Sequence, residues 1–304
     1  MDRPLDCLII GGGPAGLTAA IYAARFQLEV QVVDSGRGRA ALIPCTRNHA
    51  GFPDGISGRE LLSRMRRQAR KWGATITRGS IEQARSVSGG FEVRAPTATL
   101  RARALLVATG VTNHSPPMSR ALHSAALEAG RLRYCPVCDG REVLDKRVAV
   151  IGRGAHGVAE ALFIRAYTRH VTLVLADHRH TLPPEERRQL HSAQIEVIHG
   201  PAKDFQLDAK GLSFSHREGR THFEAVYSAL GSTPHADLAK SLGAKLADAG
   251  CIEVDGHQRT TVRGLYAAGD VVAGLDQISH AMGQAGVAAT AIRNDLAALR
   301  PFWR

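Results

Sequence analysis

Cys7-Leu8-Ile9-Ile10-Gly11-Gly12-Gly13-Pro14-Ala15-Gly16 is a short apolar strand pattern running into a glycine-rich turn and then an alanine-rich stretch. The same pattern returns as Val148-Ala149-Val150-Ile151-Gly152-Arg153-Gly154-Ala155-His156-Gly157. One G-x-G-x-x-G is weak evidence, because many tight turns look like it. Two copies, each after a strand and before a helix, point to two dinucleotide-type βαβ units. Gly11 allows the tight turn, Gly13 lets the backbone approach a pyrophosphate, and Gly16 lets helix and strand pack closely. The helix starting near Gly13 offers free N–H groups and its positive dipole end to phosphates. Asp34 closes the strand pattern Glu29-Val30-Gln31-Val32-Val33, about 20 residues on, where an acid takes ribose hydroxyls. An ordinary βαβ unit without a ligand would use the same glycines for packing alone. That alternative is wider open for the second copy, where His156 is bulky in the turn.

Length and composition set the outer bounds. The 304 residues suffice for two domains of ordinary size, and 44% apolar content with 31 glycines fits a soluble α/β protein rich in tight turns. No apolar run reaches the ~18 residues of a membrane span, so no membrane role is expected. No signal peptide is read at the N-terminus, and five cysteines with one close pair do not describe a secreted disulfide framework. The expected compartment is the cytoplasm. The net charge of +11 comes from 39 basic and 28 acidic residues. Part of it falls on a predicted helix from Gly58 to Trp72, with Leu61, Leu62, Met65, Ala69 and Trp72 on one face. Arg59, Arg64, Arg66, Arg67, Arg70 and Lys71 point away from that face. Such a face is either simply solvated or a landing surface for acidic partners. Nucleic acid is not expected, since aromatics make up only 5% of the chain and no nucleic-acid motif appears.

Between the two glycine turns lies Cys135-Pro136-Val137-Cys138-Asp139-Gly140. In such a Cys-x-x-Cys, one thiolate attacks a partner disulfide and the other resolves the mixed disulfide. Half of a zinc site is the competing reading; with no second Cys-x-x-Cys and no His pair at ligand spacing, no metal is expected. Two dinucleotide-type turns and a candidate redox disulfide suggest electrons passing through a flavin to a dithiol. Farther on, Leu265-Tyr266-Ala267-Ala268-Gly269-Asp270 precedes a predicted alanine-rich helix from about Ile278 to Leu299. That helix has no partner in the middle segment. It belongs back with the first unit, giving a discontinuous domain (1–113 and 239–304) into which a second (114–238) is inserted. The predicted fold class is α/β, with two Rossmann-like three-layer domains.

With these residues located, the chain resembles the low-molecular-weight thioredoxin reductase family over nearly its whole length. The likeness rests on Gly11 to Gly16, Ala108-Thr109-Gly110, Tyr134-Cys135-Pro136-Val137-Cys138-Asp139-Gly140 and Ala267-Ala268-Gly269-Asp270-Val271. It implies FAD in the discontinuous domain and NADPH in the inserted one, thioredoxin or a similar small redox protein as substrate, and a homodimer. It implies FAD contacts from Gly11, Gly13, Pro14, Ala15, Gly16, Asp34, Thr109, Gly110, Gly269 and Asp270. Gln277 and Ile278 would lie at the pyrimidine end of the flavin, beside a helix N-terminus. The likeness also implies that Cys138 faces the flavin, Cys135 attacks the substrate, and Asp139 protonates the departing thiolate.

The departures concern the electron donor. The family follows its second nucleotide strand with His-Arg-Arg and a further Arg; here the stretch is Leu175-Ala176-Asp177-His178-Arg179. Asp177 would repel a 2′-phosphate, although His178-Arg179 could substitute in a slipped register. The usual Arg-Gln before the flavin helix is Asp276-Gln277, and Arg39-Ala40-Ala41-Leu42-Ile43-Pro44-Cys45 replaces a Gly-Gly-Gln segment. NADPH, NADH and an acidic one-electron carrier such as ferredoxin therefore compete as donors. A flavin-dependent oxidase of a small dithiol and a flavin-binding redox sensor are further alternatives. Cys45, in the loop expected near the flavin, is a lesser redox candidate; Cys7 and Cys251 read as structural, and His280 as a surface or packing residue.

Overall fold

The computed structural model describes residues 3–96, 98–176 and 182–302. Two compact units emerge. One comprises residues 1–41, 57–112 and 233–304, the other residues 42–56 and 113–232. The expected divisions were at 113/114 and 238/239, with the loop at 42–56 in the first domain. That loop instead groups with the second unit. It closes on itself through paired backbone bonds between Thr46 and Ile56 (2.8 and 3.0 Å) and is tied by Arg47 to Glu142 at 3.5 Å.

The first unit is built on a seven-stranded sheet. Leu5–Ile10, Val30–Asp34, Thr75–Arg78, Ala98–Val107 and Leu265–Ala267 run parallel, and Gln83–Val87 and Gly90–Ala95 add an antiparallel flap. The Leu5–Ile10 strand is buried beyond its first residue, as expected for a parallel strand covered on both faces. Register aligns the strand ends: Ile10 stands beside Val33 and Val107, and Val107 beside Ala267. Gly11, Asp34, Ala108-Thr109-Gly110 and Ala268-Gly269-Asp270 therefore all leave the carboxyl edge of one sheet. In open α/β sheets that edge is where ligands bind.

Helix Pro14–Arg25 starts with proline at a first-turn position, where its missing N–H costs nothing. It packs against Ile278–Leu299 through small residues: Ala19, Ala20 and Ala23 meet Ala281, Ala285, Ala288 and Ala289 in one buried cluster. Helix Gly58–Lys71 is capped by Ser57, whose Oγ accepts the Glu60 N–H at 3.2 Å, and buries Leu61, Leu62, Met65 and Ala69 as predicted. Trp72 departs from that prediction. It is the C-cap, 42% exposed, and lies beneath the Arg25 guanidinium at 4.3 Å.

The second unit holds a five-stranded parallel sheet, ordered Glu196–His199, Val171–Leu175, Val148–Gly152, Ala225–Ala229, Leu132–Arg133. A three-stranded antiparallel sheet, Lys203–Leu207, Leu212–His216 and Gly219–Phe223, accompanies it and shares a core of Phe205, Phe214 and Phe223. Among the described residues no helix is long and apolar enough to cross a membrane.

Candidate active site

The cradle at the first sheet edge is shaped by glycine. Gly11 adopts φ +110°, and a Cβ there would lie 2.2 Å from the Ala108 carbonyl oxygen, so no other residue fits. Gly13 is the opposite case: a Cβ would meet nothing within 4 Å, so its backbone faces open space. A group that must approach the main chain closely has room there. Pro14, Ala15 and Gly16 form the first turn of the following helix, and a Cβ on Gly16 would strike the Gly11 carbonyl at 1.9 Å.

Asp34 is 8% exposed at the end of its strand. Its Oδ1 accepts the Gly36 N–H at 2.9 Å, and its Oδ2 accepts from Arg66 Nη2 at 3.1 Å. Arg66, read as lying off the apolar face of its helix, is half-buried and holds this acid. Thr109 Oγ1 donates to the His235 carbonyl at 2.7 Å, which fixes the turn through Gly110. Gly269, at φ +81°, donates its N–H to Gln284 Oε1 at 2.8 Å.

Asp270 follows directly and is not alone. Arg39 Nη2 donates to Asp270 Oδ2 at 2.7 Å and to Asp276 Oδ2 at 2.9 Å. Burial pushes the Asp270 carboxyl above its usual range, the Arg39 charge pulls it back, and the Asp276 charge adds to the rise. Two of the departures noted in the sequence, Arg39 and Asp276, thus pair with each other, and the same guanidinium holds Asp270. Gln277 is the N-cap of the Ile278–Leu299 helix, and Ile278 its first residue.

In the second unit, Cys135 and Cys138 are joined in a disulfide with Cα atoms 5.2 Å apart. The short helical turn Pro136–Asp139 carries the pair; Cys135 is its N-cap, and its Sγ accepts the Cys138 N–H at 3.1 Å. Asp139 is engaged at both oxygens. Arg133 Nη1 donates to Oδ2 at 2.5 Å and the Tyr227 hydroxyl donates to Oδ1 at 2.8 Å. Burial raises the Asp139 carboxyl above its ordinary range, with Arg133 and Tyr227 acting in the other direction.

At the second glycine turn, a Cβ on Gly152 would come 2.5 Å from Gly157 Cα, so the crossing of strand and helix is tight. His156 is turned along the helix, its Nε2 3.2 Å from Glu160 Oε1 with a side chain 60% exposed. Glu160 is pushed up to about 7 by burial. Asp177, His178 and Arg179 lie outside the described residues. Cys7 is fully buried and its thiol raised to about 12, mainly by burial. Cys45 sits at the neck of its loop beside Gly55, and Cys251 is half-buried; both are free thiols.

A strand–turn–helix glycine turn at each sheet and a bonded Cys-x-x-Cys define the class of disulfide oxidoreductases built on two Rossmann-like domains. The model of the pyridine nucleotide-disulphide oxidoreductase family matches residues 5–285. The chain is 31% identical over 281 residues to a thioredoxin reductase of Mycolicibacterium smegmatis, covering 88% of each chain. It is 31% identical to the NADPH-dependent thioredoxin reductase 3 of Arabidopsis thaliana over 88% of its own length, and spans about half (53%) of that longer protein. Its fold superposes on the thioredoxin reductase of Streptococcus pyogenes with a TM-score of 0.89 at 27% identity, covering 98% of this chain and 100% of that one. The chain therefore belongs to the pyridine nucleotide-disulphide oxidoreductase family, in its low-molecular-weight thioredoxin reductase group of flavin disulfide oxidoreductases.

Proposed function

We propose that this protein binds FAD in the discontinuous domain, residues 1–113 and 239–304, and reduces thioredoxin or a similar small redox protein through Cys135 and Cys138. The observation that carries the reading is the Cys135–Cys138 disulfide with Asp139 next to it, in a chain that also has a glycine cradle suited to a dinucleotide. FAD, when bound, supplies the electron pair that opens this disulfide. Gly11, Gly13, Pro14, Ala15 and Gly16 would receive its pyrophosphate, Asp34 a ribose, and Thr109, Gly110, Gly269, Asp270, Gln277 and Ile278 the remainder. The open backbone at Gly13 fits that assignment.

Opening the disulfide takes two electrons and two protons and leaves two thiols. Cys135, as thiolate, attacks one sulfur of the substrate disulfide, forming a mixed disulfide while the other substrate sulfur departs as thiolate. Asp139 relays a proton from solvent to that departing sulfur, matching the one Cys135 lost on ionising. Cys138 then loses its proton to solvent and attacks Cys135 Sγ, closing the internal disulfide and releasing the second substrate sulfur as a thiolate that takes up a proton from solvent. The electron pair has passed from the dithiol to the substrate.

The proposed donor is an acidic one-electron carrier such as ferredoxin, docking twice per disulfide, with NADPH and NADH served poorly. Asp177 in place of an arginine and the +11 net charge support it. Residues 114–238 would then keep the nucleotide fold chiefly to carry the cysteines. The spacing of Gly152, Gly154 and Gly157 favours the second reading, an ordinary NADPH-dependent enzyme. A homodimer in the cytoplasm is part of the proposal. Anaerobic mixing with NADPH or with reduced ferredoxin, followed at the flavin's visible band, separates the donors: rapid bleaching by NADPH establishes the second reading. Loss of colour by neither, or peroxide release with a small dithiol, favours the oxidase.

A further inference from the structure

Arg133 and Tyr227 are register partners on adjacent parallel strands, Leu132–Arg133 and Ala225–Ala229. Side chains opposite one another on one face of a sheet stand close enough to serve a common partner. Here that partner is Asp139, the residue directly after the disulfide. Arg133 takes Oδ2 at 2.5 Å; the Tyr227 hydroxyl takes Oδ1 at 2.8 Å and reaches the Asp139 carbonyl at 3.2 Å. Tyr227 is wholly buried and the Arg133 side chain 14% exposed, so neither contact is a loose surface pair. A carboxylate accepts and does not donate, so a donor on each oxygen suits the ionised form. The turn ties the Asp139 backbone to that of the pair: Asp139 N–H donates to the Cys135 carbonyl at 3.3 Å. Among the described residues Glu142 also acts on Asp139; it is paired with Arg47 at 3.5 Å, and its carbonyl accepts from Lys146 Nζ at 2.6 Å. Tyr167 packs against Gly140.

We propose that Arg133 and Tyr227 are positioning residues that hold Asp139 as a carboxylate beside the cysteine pair, the Arg133 charge offsetting the Asp139 charge so that Cys135 of the reduced pair ionises readily. Without Arg133, a negative charge stands uncompensated one residue from Cys138, and a thiolate nearby is disfavoured. Without Asp139, the guanidinium is unopposed and a thiolate is favoured. The two deletions therefore act in opposite directions, which a purely structural role would not produce. The inference rests on the proposed function only in taking the pair to cycle between disulfide and dithiol.

The test uses the full chain reduced with a phosphine, which takes up the oxygen of water as it delivers two electrons and two protons to the disulfide. After anaerobic desalting, limiting iodoacetamide is applied between pH 5 and 10, and labelling at Cys135 is read by peptide mass spectrometry. Arg133→Met should lower the thiolate fraction at neutral pH by about tenfold, Asp139→Asn should raise it, and Arg133→Met with Asp139→Asn should return near the starting profile. Arg133→Lys should keep most of the original profile, and Tyr227→Phe should shift it as Arg133→Met does, by less. Should Arg133→Met fail to fold, Asp139→Asn and Arg133→Lys still decide. An unchanged midpoint in Asp139→Asn, or shifts of the same sign in Asp139→Asn and Arg133→Met, overturns the proposal. Because no turnover is measured, an absence of thioredoxin reduction would count against the proposed function and leave this inference standing.

Discussion

At the scale of single residues, the proposed function gives the two cysteines separable tasks. Cys138→Ser should abolish disulfide turnover while leaving the cofactor bound, because it removes the resolving thiol and nothing in the first-unit cradle. Cys135→Ser should likewise stop turnover but leave a free thiolate at Cys138, seen as new long-wavelength absorbance in the loaded protein. Wild-type rates in both variants would show that the bond at 5.2 Å between Cα atoms is only structural. Asp139→Asn should slow turnover by roughly 10²–10⁴-fold, the usual loss when a proton carrier is removed. The Cys135–Cys138 bond could be read from the sequence because the spacing of the pair is local. Arg133 and Tyr227 could not. They lie 94 positions apart, and only strand register brings them onto one carboxylate.

Elements show the same division. Both glycine turns and the alanine-rich helices could be read in advance, since apolar runs and glycine positions answer to backbone geometry alone. The pairing of Arg39 with Asp270 and Asp276, and of Arg66 with Asp34, could not, because it depends on which loops converge on the sheet edge. Removing Arg39 leaves Asp270 poorly exposed and without its cation, at a cost of about 1–3 kcal/mol. Arg39→Ala should therefore weaken FAD retention roughly tenfold, measured by equilibrium dialysis of the loaded protein. An unchanged affinity would mean that Asp270 needs no such holder. The helix pair offers a control remote from the chemistry. Ala285 is fully buried where Ile278–Leu299 lies on Pro14–Arg25. Ala285→Leu should overpack that seam and destabilise the fold by about 1–3 kcal/mol, visible in thermal melts, whereas a neutral result would show slack in the packing.

For the molecule as a whole, charge is the feature on which the proposed acidic donor rests. A net +11 on 304 residues sets up a positive field, to which the exposed Arg59, Arg64, Arg67, Arg70 and Lys71 of one helix contribute. Arg64 is partly spent on Glu60 at 2.7 Å; the field is a collective property and does not depend on any one of these groups. Such a field does little for the fold and much for encounter rates. An acidic protein donor should therefore reduce the flavin with a second-order rate constant that falls roughly tenfold or more as salt rises from 20 to 500 mM. The Debye length shrinks from roughly 20 Å to 4–5 Å over that range. The intramolecular step from flavin to disulfide should stay flat over the same salt series, since the reacting groups travel with the protein. NADPH offers the contrast: if, as the family resemblance implies, Asp177 stands in place of a phosphate-binding arginine, saturation should be weak at every salt concentration. Stopped-flow traces under anaerobic conditions read all three quantities. Rapid reduction by NADPH with micromolar half-saturation, together with a flat salt profile for the acidic carrier, would remove the case for a protein donor.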